Sequence, residues 1–471
     1  MKSFMKGSGK EDVVLVRHIF EEIDRIQKAY ARGDFDRPKE DMFCGIAHPS
    51  GNGEIPIGRK GMEALDKLTI SAIKASGLSN RIAAHTARRH LGKVLAEMRF
   101  EQKPVDLLAV QQAFGSAAKH MRADLQSRIH LVPCHLVDVA DPDEIQLGPV
   151  TFLNRSALRK QLLQNSPKRD DALWTKSDRD MLAQAVRYYR GFQWVAAVKI
   201  EKCDPKLSDN YARHAATLAL SALQLGLGTP SSQRMAIEGV PRGWSRQATL
   251  RFPIEGGIDV AITHEFKSGA NFEAGWSEDL KTPGMQTFTH FCGIALEAAL
   301  PGRKRRLSDR FLSALQWFGE AVREDAPATR MIKFMTAIEH VVLTEERAEI
   351  TNLMASRVVA LADIDRSTKS RMEIRGNFLR LYGLRSGLIH GRISPWAPEI
   401  VHDLGAAAEL AENVMIGALR GWDVNGLTSE EVTLKQLQRW YAYLVEDCEM
   451  AGHVIMWRDH QEAQRQIATG N

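Results

Sequence analysis

The strongest constraint on the fold is the helical spacing of apolar residues from about residue 284 to residue 471. In two consecutive segments, apolar side chains recur every three or four residues and therefore line one face of a helix. They are Phe311, Leu315, Phe318 and Val322 in the first segment, and Met331, Met335, Ile338 and Val342 in the second. The same spacing predicts further helices at about 346–362, 367–390, 403–420 and 429–465. Helices of this kind bury their apolar faces against one another, so this part of the chain predicts a helical bundle.

The middle of the chain has a different pattern. Runs rich in Val, Ile, Leu and Phe at 128–139 and 145–153 are bounded by Pro, Gly and Asp, which predicts strands. More strands are expected within 234–266. Helical spacing separates these groups, at about 176–199 and 208–225. Runs of strands separated by helices are typical of an α+β region.

Helical spacing also dominates the start of the chain, at 11–33, 61–76 and 79–99, whereas the Gly- and Pro-rich stretch 48–61 predicts a loop. The third of these helices carries a basic face.

These patterns predict a mainly α fold with a smaller α+β middle region. A chain of 471 residues is long enough for two to four domains. The predicted domains are a helical N-terminal region at 1–120, an α+β region at 121–280 and the helical bundle at 284–471.

The composition excludes several classes of protein. Hydrophobic residues make up 44% and charged residues 26%, close to the globular average. The net charge of +5 permits a polyanionic partner without demanding one. The five cysteines are scattered without a CxxC pair, the first residues lack the apolar core of a signal peptide, and no apolar run could span a bilayer. The expectation is a cytoplasmic protein without membrane contact.

Two stretches look like ligand sites but lack essential groups. The sequence GEIPIGRK at 53–60 is close to a phosphate-binding loop, but Arg59 stands at the lysine position and no Ser or Thr follows. His130, Cys134 and His135 are suitable metal ligands but too few for a zinc site. Neither a cofactor nor a metal ion is therefore predicted.

The segment LYGLRSGLIHGR places two cations, Arg385 and His390, near the end of a predicted helix, with Gly391 suited to the first position beyond it. Five helical residues turn through about 500°, so these side chains lie about 140° apart and about 7.5 Å apart along the axis. Ser386 shares the face of His390. The helix dipole favours a protonated imidazole here. A fixed guanidinium beside a histidine suits acid–base chemistry on a phosphodiester.

With the helices that precede it, this motif resembles the HEPN superfamily, most closely the ApeA-like HEPN domain of bacterial antiphage proteins. The family's mark is an arginine, four to six residues and a histidine, late in a long helix of a bundle. ApeA-like members commonly show the form Y..RS..(V/I)HG, which this chain matches with Tyr382, Arg385, Ser386, Ile389, His390 and Gly391. The upstream sequence AIEH resembles the family's ALE helix, which makes Glu339 a candidate partner of the arginine. The resemblance covers about residues 305–425 and implies a C-terminal HEPN-type helical bundle.

The resemblance also implies an activity. Many HEPN proteins are metal-independent endoribonucleases, so Arg385 and His390 are the expected catalytic residues. Tyr382, Ser386, Glu339 and Arg392 are the expected supporting residues. Cleavage through the ribose 2′-hydroxyl would leave 2′,3′-cyclic phosphate and 5′-hydroxyl ends, and DNA would be inert. RNA is then the partner, and a homodimer would place two motifs in one cleft. Antiphage defence or toxicity is the expected role.

Three alternatives remain open at this point. The bundle could be a catalytically silent HEPN module that binds nucleotides or proteins. The two cations could satisfy carbonyl groups at a helix C-terminus, where positive charge is favoured. The basic helix at 79–99 could contact DNA, although no recognition helix with convincing spacing follows it.

The last predicted helix has an apolar seam with a period of 3.5 residues. It consists of Leu434, Leu437, Tyr441, Leu444, Cys448, Ala451 and Ile455. Such a seam can pack on the chain's own bundle or join two subunits, and the pattern does not distinguish the two.

Overall fold

The computed structural model describes residues 9–32, 44–50, 52–165, 175–237, 244–251, 259–266, 272, 275–346, 349–362, 370–450 and 456–459. The chain divides into two compact units. The first consists of residues 1–128 with 200–211, and the second of residues 129–199 with 212–471.

Helices dominate both units, and a smaller sheet region lies in the middle of the chain, as predicted. The helices are α1 (Lys10–Ala31), α2 (Arg59–Ser76), α3 (Ala84–Phe100), α4 (Leu107–Asp124), α5 (Arg155–Asn165), α6 (Lys176–Tyr189), α7 (Pro205–Leu227), α8 (Thr229–Ser232), α9 (Pro283–Leu296), α10 (Arg306–Val322), α11 (Pro327–Val342), α12 (Ile350–Ala362), α13 (Arg371–Ile389), α14 (Pro398–Thr428) and α15 (Leu434–Met450). The strands are β1 (Cys44–Ala47), β2 (Glu54–Ile57), β3 (Gln126–His135), β4 (Glu144–Leu147), β5 (Val150–Asn154), β6 (Trp194–Cys203), β7 (Ala236–Ile237), β8 (Trp244–Arg251) and β9 (Asp259–Phe266). Short 3₁₀ helices occupy Trp276–Lys281 and Glu297–Ala299.

In the first unit, α1 to α4 pack around one apolar core, and a hairpin of β1 and β2 lies against it. The prediction of a loop at 48–61 is wrong for its second half, where Glu54–Ile57 forms strand β2. Ile55 and Ile57 are buried while Glu54 is exposed, which is the alternation of a strand with one face on a core. A strand of four residues containing a proline is too short for this alternation to stand out among Gly and Pro.

The middle sheet has five strands in the order β4-β5-β6-β3-β7. The helix predicted at 176–199 is wrong beyond Tyr189, because Trp194 begins β6. The first five residues of this strand are all buried, and a fully buried strand shows no alternation that would separate it from a helix. The single strand predicted at 145–153 is a hairpin of β4 and β5 instead. Gly148 takes φ 55° at its turn, a left-handed conformation that glycine adopts without strain.

The second unit contains the predicted helical bundle, formed by α10 to α15. Both apolar stripes expected from the sequence are buried in it. The long helix α14 contacts α10, α11, α12 and α13, and Asp423, at φ 49°, interrupts its helical geometry near the C-terminal end. The connection between α13 and α14 is only eight residues long, at 390–397.

The seam of α15 packs on the chain's own bundle. Leu437, Tyr441 and Leu444 are buried, and the Tyr441 hydroxyl donates a hydrogen bond to the carbonyl of Val341. In its described part, the seam is therefore used within the chain. The side chain of Cys448, and residues 451 and 455, lie outside the described residues.

Candidate active site

The end of α13 is a Schellman motif built on Gly391. This glycine takes φ 67°, the Arg392 N–H donates to the carbonyl of Gly387 (2.8 Å), and the Gly391 N–H donates to the carbonyl of Leu388 (3.2 Å). Ile393 folds back over Gly387 so closely that a Cβ there would lie 2.5 Å from the Ile393 Cδ1. Backbone groups thus satisfy these carbonyls, and neither cation of the motif is needed for that purpose.

Arg385 is held by an ion pair between two helices. Its Nη2 donates to Oε2 of Glu339 on α11 at 2.8 Å, and the two side chains are only 21% and 15% exposed. These are the two residues that the resemblance suggested as partners. Because a paired and half-buried guanidinium loses most of its rotamer freedom, Arg385 is oriented before any ligand arrives.

The ring of Tyr382 contacts the same guanidinium. The Cζ of Arg385 lies 5.8 Å from the ring centroid, within the range of a cation–π contact. Tyr382 in turn stacks on the buried ring of Phe378, with centroids 5.6 Å apart and planes inclined by 22°. The core therefore fixes Tyr382, and Tyr382 limits where the guanidinium can lie.

Burial sets the electrostatics of this cluster. It raises the pKa of Glu339 above its ordinary value, and the positive charge of Arg385 opposes the shift. Burial and the nearby Glu339 raise the pKa of Tyr382, again opposed by Arg385. The Nε of Arg385 is buried and has no hydrogen-bond partner among the described residues. A buried donor without a partner costs free energy, so this part of the guanidinium adds no stability of its own.

The remaining motif residues lie nearer the surface. His390 is the exposed C-cap residue of α13, and within the described part of the chain no hydrogen bond joins it to Arg385. The Nη2 of Arg392 donates to the hydroxyl of Ser386 at 3.2 Å. The structure thus brings together Arg385, Glu339 and Tyr382, pairs Ser386 with Arg392, and leaves the imidazole of His390 open to solvent.

The basic helix considered for DNA binding is α3, and most of its cations are paired. Arg88 bonds Asp66 at 2.9 Å, and Asp124 accepts from Arg89 at 2.8 Å while its Oδ2 lies 2.6 Å from Nε2 of His90. Acidic groups on neighbouring helices therefore neutralise much of this face, and nucleic-acid binding needs cations that are free to meet phosphates.

The other ligand site weighed in the sequence is part of the interior. Cys134 and His135 are buried in β3, and burial raises the pKa of the Cys134 thiol far above its ordinary value. Across the described ranges, no group of three or more His, Cys, Asp or Glu residues is arranged to hold a metal ion. No helix in those ranges has the length and apolar character needed to cross a membrane.

Two features near the motif have no counterpart in the sequence analysis. Asp403 on α14 is buried, accepts a hydrogen bond from Arg380 on α13, and lies 2.9 Å from Nδ1 of the exposed His402. In the connection between these helices, Trp396 is 90% exposed. Neither feature has a local signal in the sequence, because both depend on how α13, the connection and α14 are arranged in space.

Comparison with known proteins adds no assignment: no family model, no curated protein and no solved structure matches this chain. The likeness to HEPN domains therefore rests on the motif and its neighbouring helices alone.

Proposed function

We propose that this protein is a metal-independent endoribonuclease of the HEPN type, acting in the cytoplasm in antiphage defence or as a toxin. The observation that carries the proposal is the contrast between the two cations. Arg385 is half-buried and oriented by Glu339 and Tyr382, whereas His390, five residues later at the end of the same helix, is exposed. One group is suited to hold charge and the other to exchange protons.

The chemistry follows from these two properties. The imidazole of His390 removes the proton from a ribose 2′-hydroxyl, whose oxygen attacks the adjacent phosphorus. The bond from phosphorus to the 5′-oxygen breaks, and that oxygen takes a proton from water or from the protonated His390 of a second copy. The products are a 2′,3′-cyclic phosphate and a 5′-hydroxyl. DNA is not cleaved, because it lacks the attacking hydroxyl.

Arg385 stabilises the charge that develops on the phosphate. A guanidinium has five N–H donors, of which the contact with Glu339 uses one. The donors that remain suit phosphate oxygens, and an oriented donor needs no reorganisation during the reaction.

A homodimer through the bundle would supply a second set of these groups. The sequence contains one motif of this kind, and the reaction needs both a base and an acid. Met372 and Leu379, seven residues apart on α13, are exposed apolar side chains on one face of the helix that carries the motif, and Ile389 is exposed near its end. An apolar face beside the motif is where a second copy would bury surface.

The test is cleavage of total RNA by the purified chain, with and without EDTA. We expect cleavage in both conditions. Arg385→Ala and His390→Ala should each reduce it by about 100-fold or more, which is the usual size of one charge-stabilising or proton-transfer contribution. Mass spectrometry of the products should show cyclic phosphate ends.

Matched controls lie elsewhere on the same chain. Arg375→Ala changes another arginine of α13, and His18→Ala changes a half-buried histidine of the first unit, so both should retain wild-type cleavage. Loss of wild-type activity in EDTA, or full activity of His390→Ala, would exclude this mechanism.

A catalytically silent HEPN module is the second candidate, and one observation favours it. The ion pair with Glu339 already neutralises Arg385, and in the described residues nothing connects Arg385 to His390. Such a module would bind a nucleotide or a protein without turnover. Protein that binds labelled nucleotide by equilibrium dialysis, but leaves RNA intact under every condition above, would support it.

A further inference from the structure

Trp396 is the most exposed large apolar side chain of the connection between α13 and α14. It is 90% exposed, while the described residues on both sides are held by hydrogen bonds. The Trp396 N–H donates to the hydroxyl of Ser394 at 3.3 Å, and the Ala397 N–H donates to the Ser394 carbonyl at 3.0 Å. An ordered backbone thus presents the indole to solvent.

The indole does not pack against the first turn of α14, although its position in the sequence would allow that contact. Ala397 is the N-cap of α14, so Trp396 and Val401 stand at the two positions that form a hydrophobic staple in many helices. A closed staple would bury both side chains. Here Val401 is 62% exposed and the indole is almost entirely exposed, so the ring is left with a free apolar face.

The position of the ring relates it to the candidate active site. Trp396 follows His390 by six residues, which could span at most about 20 Å if fully extended. The turns at Gly391 and Ser394 shorten that span. If a nucleic-acid strand binds at His390, a base close to the reacting phosphodiester therefore lies within reach of the indole.

The charged side chains around Trp396 attract phosphate groups only weakly. Arg392 and Glu399 are both exposed and of opposite sign, and Arg380 is already bonded to Asp403. Affinity for a nucleic acid at this place must therefore come largely from contacts with bases. Stacking of a base on an aromatic ring is such a contact, and it requires a base that is not already stacked inside a duplex.

We propose that Trp396 is a stacking platform for a base of single-stranded RNA beside the phosphodiester bond that is cleaved. The inference takes its location from the proposed nuclease, but binding to Trp396 does not require cleavage. Because few cations here besides Arg385 are free to meet phosphates, the affinity should depend only weakly on salt.

The experiment measures binding of a fluorescein-labelled, single-stranded RNA oligonucleotide with 2′-O-methyl sugars, which lacks the attacking hydroxyl. Trp396→Ala should weaken binding by roughly 5- to 100-fold, the range expected for one stacked base. Trp396→Phe should retain most of the affinity because it keeps a ring. Ile70→Ala removes an exposed apolar side chain of the first unit, far from the motif in sequence, and should bind like the wild type. With cleavable RNA, Trp396→Ala should raise KM and leave kcat nearly unchanged.

The other outcomes would overturn either this inference or the proposed nuclease. Equal affinity of Trp396→Ala and wild type, or equal binding of a perfect duplex, overturns the inference. A change of molecular mass in Trp396→Ala by light scattering, with affinity unchanged, assigns the ring to a protein interface and also overturns it. Binding that depends on Trp396 without any cleavage of ordinary RNA would refute the proposed nuclease while leaving the stacking platform in place.

Discussion

At the scale of single residues, the contacts of Arg385 decide what the motif can do. Its partner Glu339 is 46 positions away in sequence and on another helix, yet the two charged groups meet at 2.8 Å. Glu339 is a positioning residue in this arrangement, because it acts on RNA only through the orientation of Arg385. Removing Glu339 should therefore lower cleavage in the same way as removing Arg385, but by a smaller factor.

We expect Glu339→Ala to lower kcat by about tenfold or more and the free energy of unfolding by about 1–3 kcal/mol, because a half-buried guanidinium loses its acceptor. Glu339→Gln keeps an oxygen acceptor and should recover part of both. Steady-state kinetics and thermal unfolding of the two variants check this. If Glu339→Ala were destabilised while its kcat stayed at the wild-type value, the ion pair would be structural only.

At the scale of elements, the C-terminal end of α11 is held by a network of arginines. Arg310 donates to the carbonyls of His340 and Leu343, and Arg357 on α12 donates to the carbonyl of Val342 at 2.7 Å. Positive side chains at helix C-terminal carbonyls are favoured by the helix dipole. This network fixes the end of the helix that carries Glu339.

Glu346 completes the network and makes it sensitive to acid. Burial alone would raise the pKa of this carboxyl, but hydrogen bonds from Arg357 and Thr344 outweigh burial and lower the pKa from its ordinary value of 4.5 to about 2. A lowered pKa in the folded state stabilises the protein above pH 4.5, and this contribution disappears as the pH falls towards 2.

We therefore expect the wild type to lose about 1–2 kcal/mol more than Glu346→Gln between about pH 5 and about pH 2, because solvent screening removes part of the full effect. Chemical unfolding at a series of pH values measures the difference. Glu345→Gln, which changes the exposed neighbour, should follow the wild type. Parallel pH profiles for wild type and Glu346→Gln would show that the carboxylate contributes no stability.

At the scale of the whole molecule, two apolar surfaces are candidates for joining subunits, and among the described residues the surface on α13 is the exposed one. The seam of α15 is used inside the bundle, whereas Met372 and Leu379 of α13 are exposed. A charge at Leu437 would be buried without a partner, which destabilises the fold. A charge at Leu379 remains in contact with water in the single chain.

Leu437→Asp should accordingly lower the melting temperature sharply. Leu379→Asp should leave melting nearly unchanged, yet convert a dimer to monomers and reduce cleavage. Light scattering and calorimetry distinguish the two variants, with Ile70→Asp as a control at an exposed apolar position of the first unit. A wild-type protein that is monomeric at micromolar concentration and still cleaves RNA would contradict the dimer.

Local pattern alone determined the helices of the bundle and the way α13 ends. The stripes of α10 and α11 repeat with the period of the helix, so their buried faces could be read directly. Gly391 was predicted as the residue beyond the helix because a left-handed conformation there costs other residues energy.

Only the tertiary structure decided which partners these elements meet. Strand β6 was taken for helix because complete burial removes the alternation that marks a strand. The seam of α15 was ambiguous because packing on a neighbour in the same chain and on a second subunit requires the same stripe. The exposure of Trp396 and the bond between Arg380 and Asp403 had no local signature, since they depend on how α13 and α14 lie side by side. Spacing within one helix fixes which residues share a face, but the packing of helices decides whether that face meets a core, a charge or solvent.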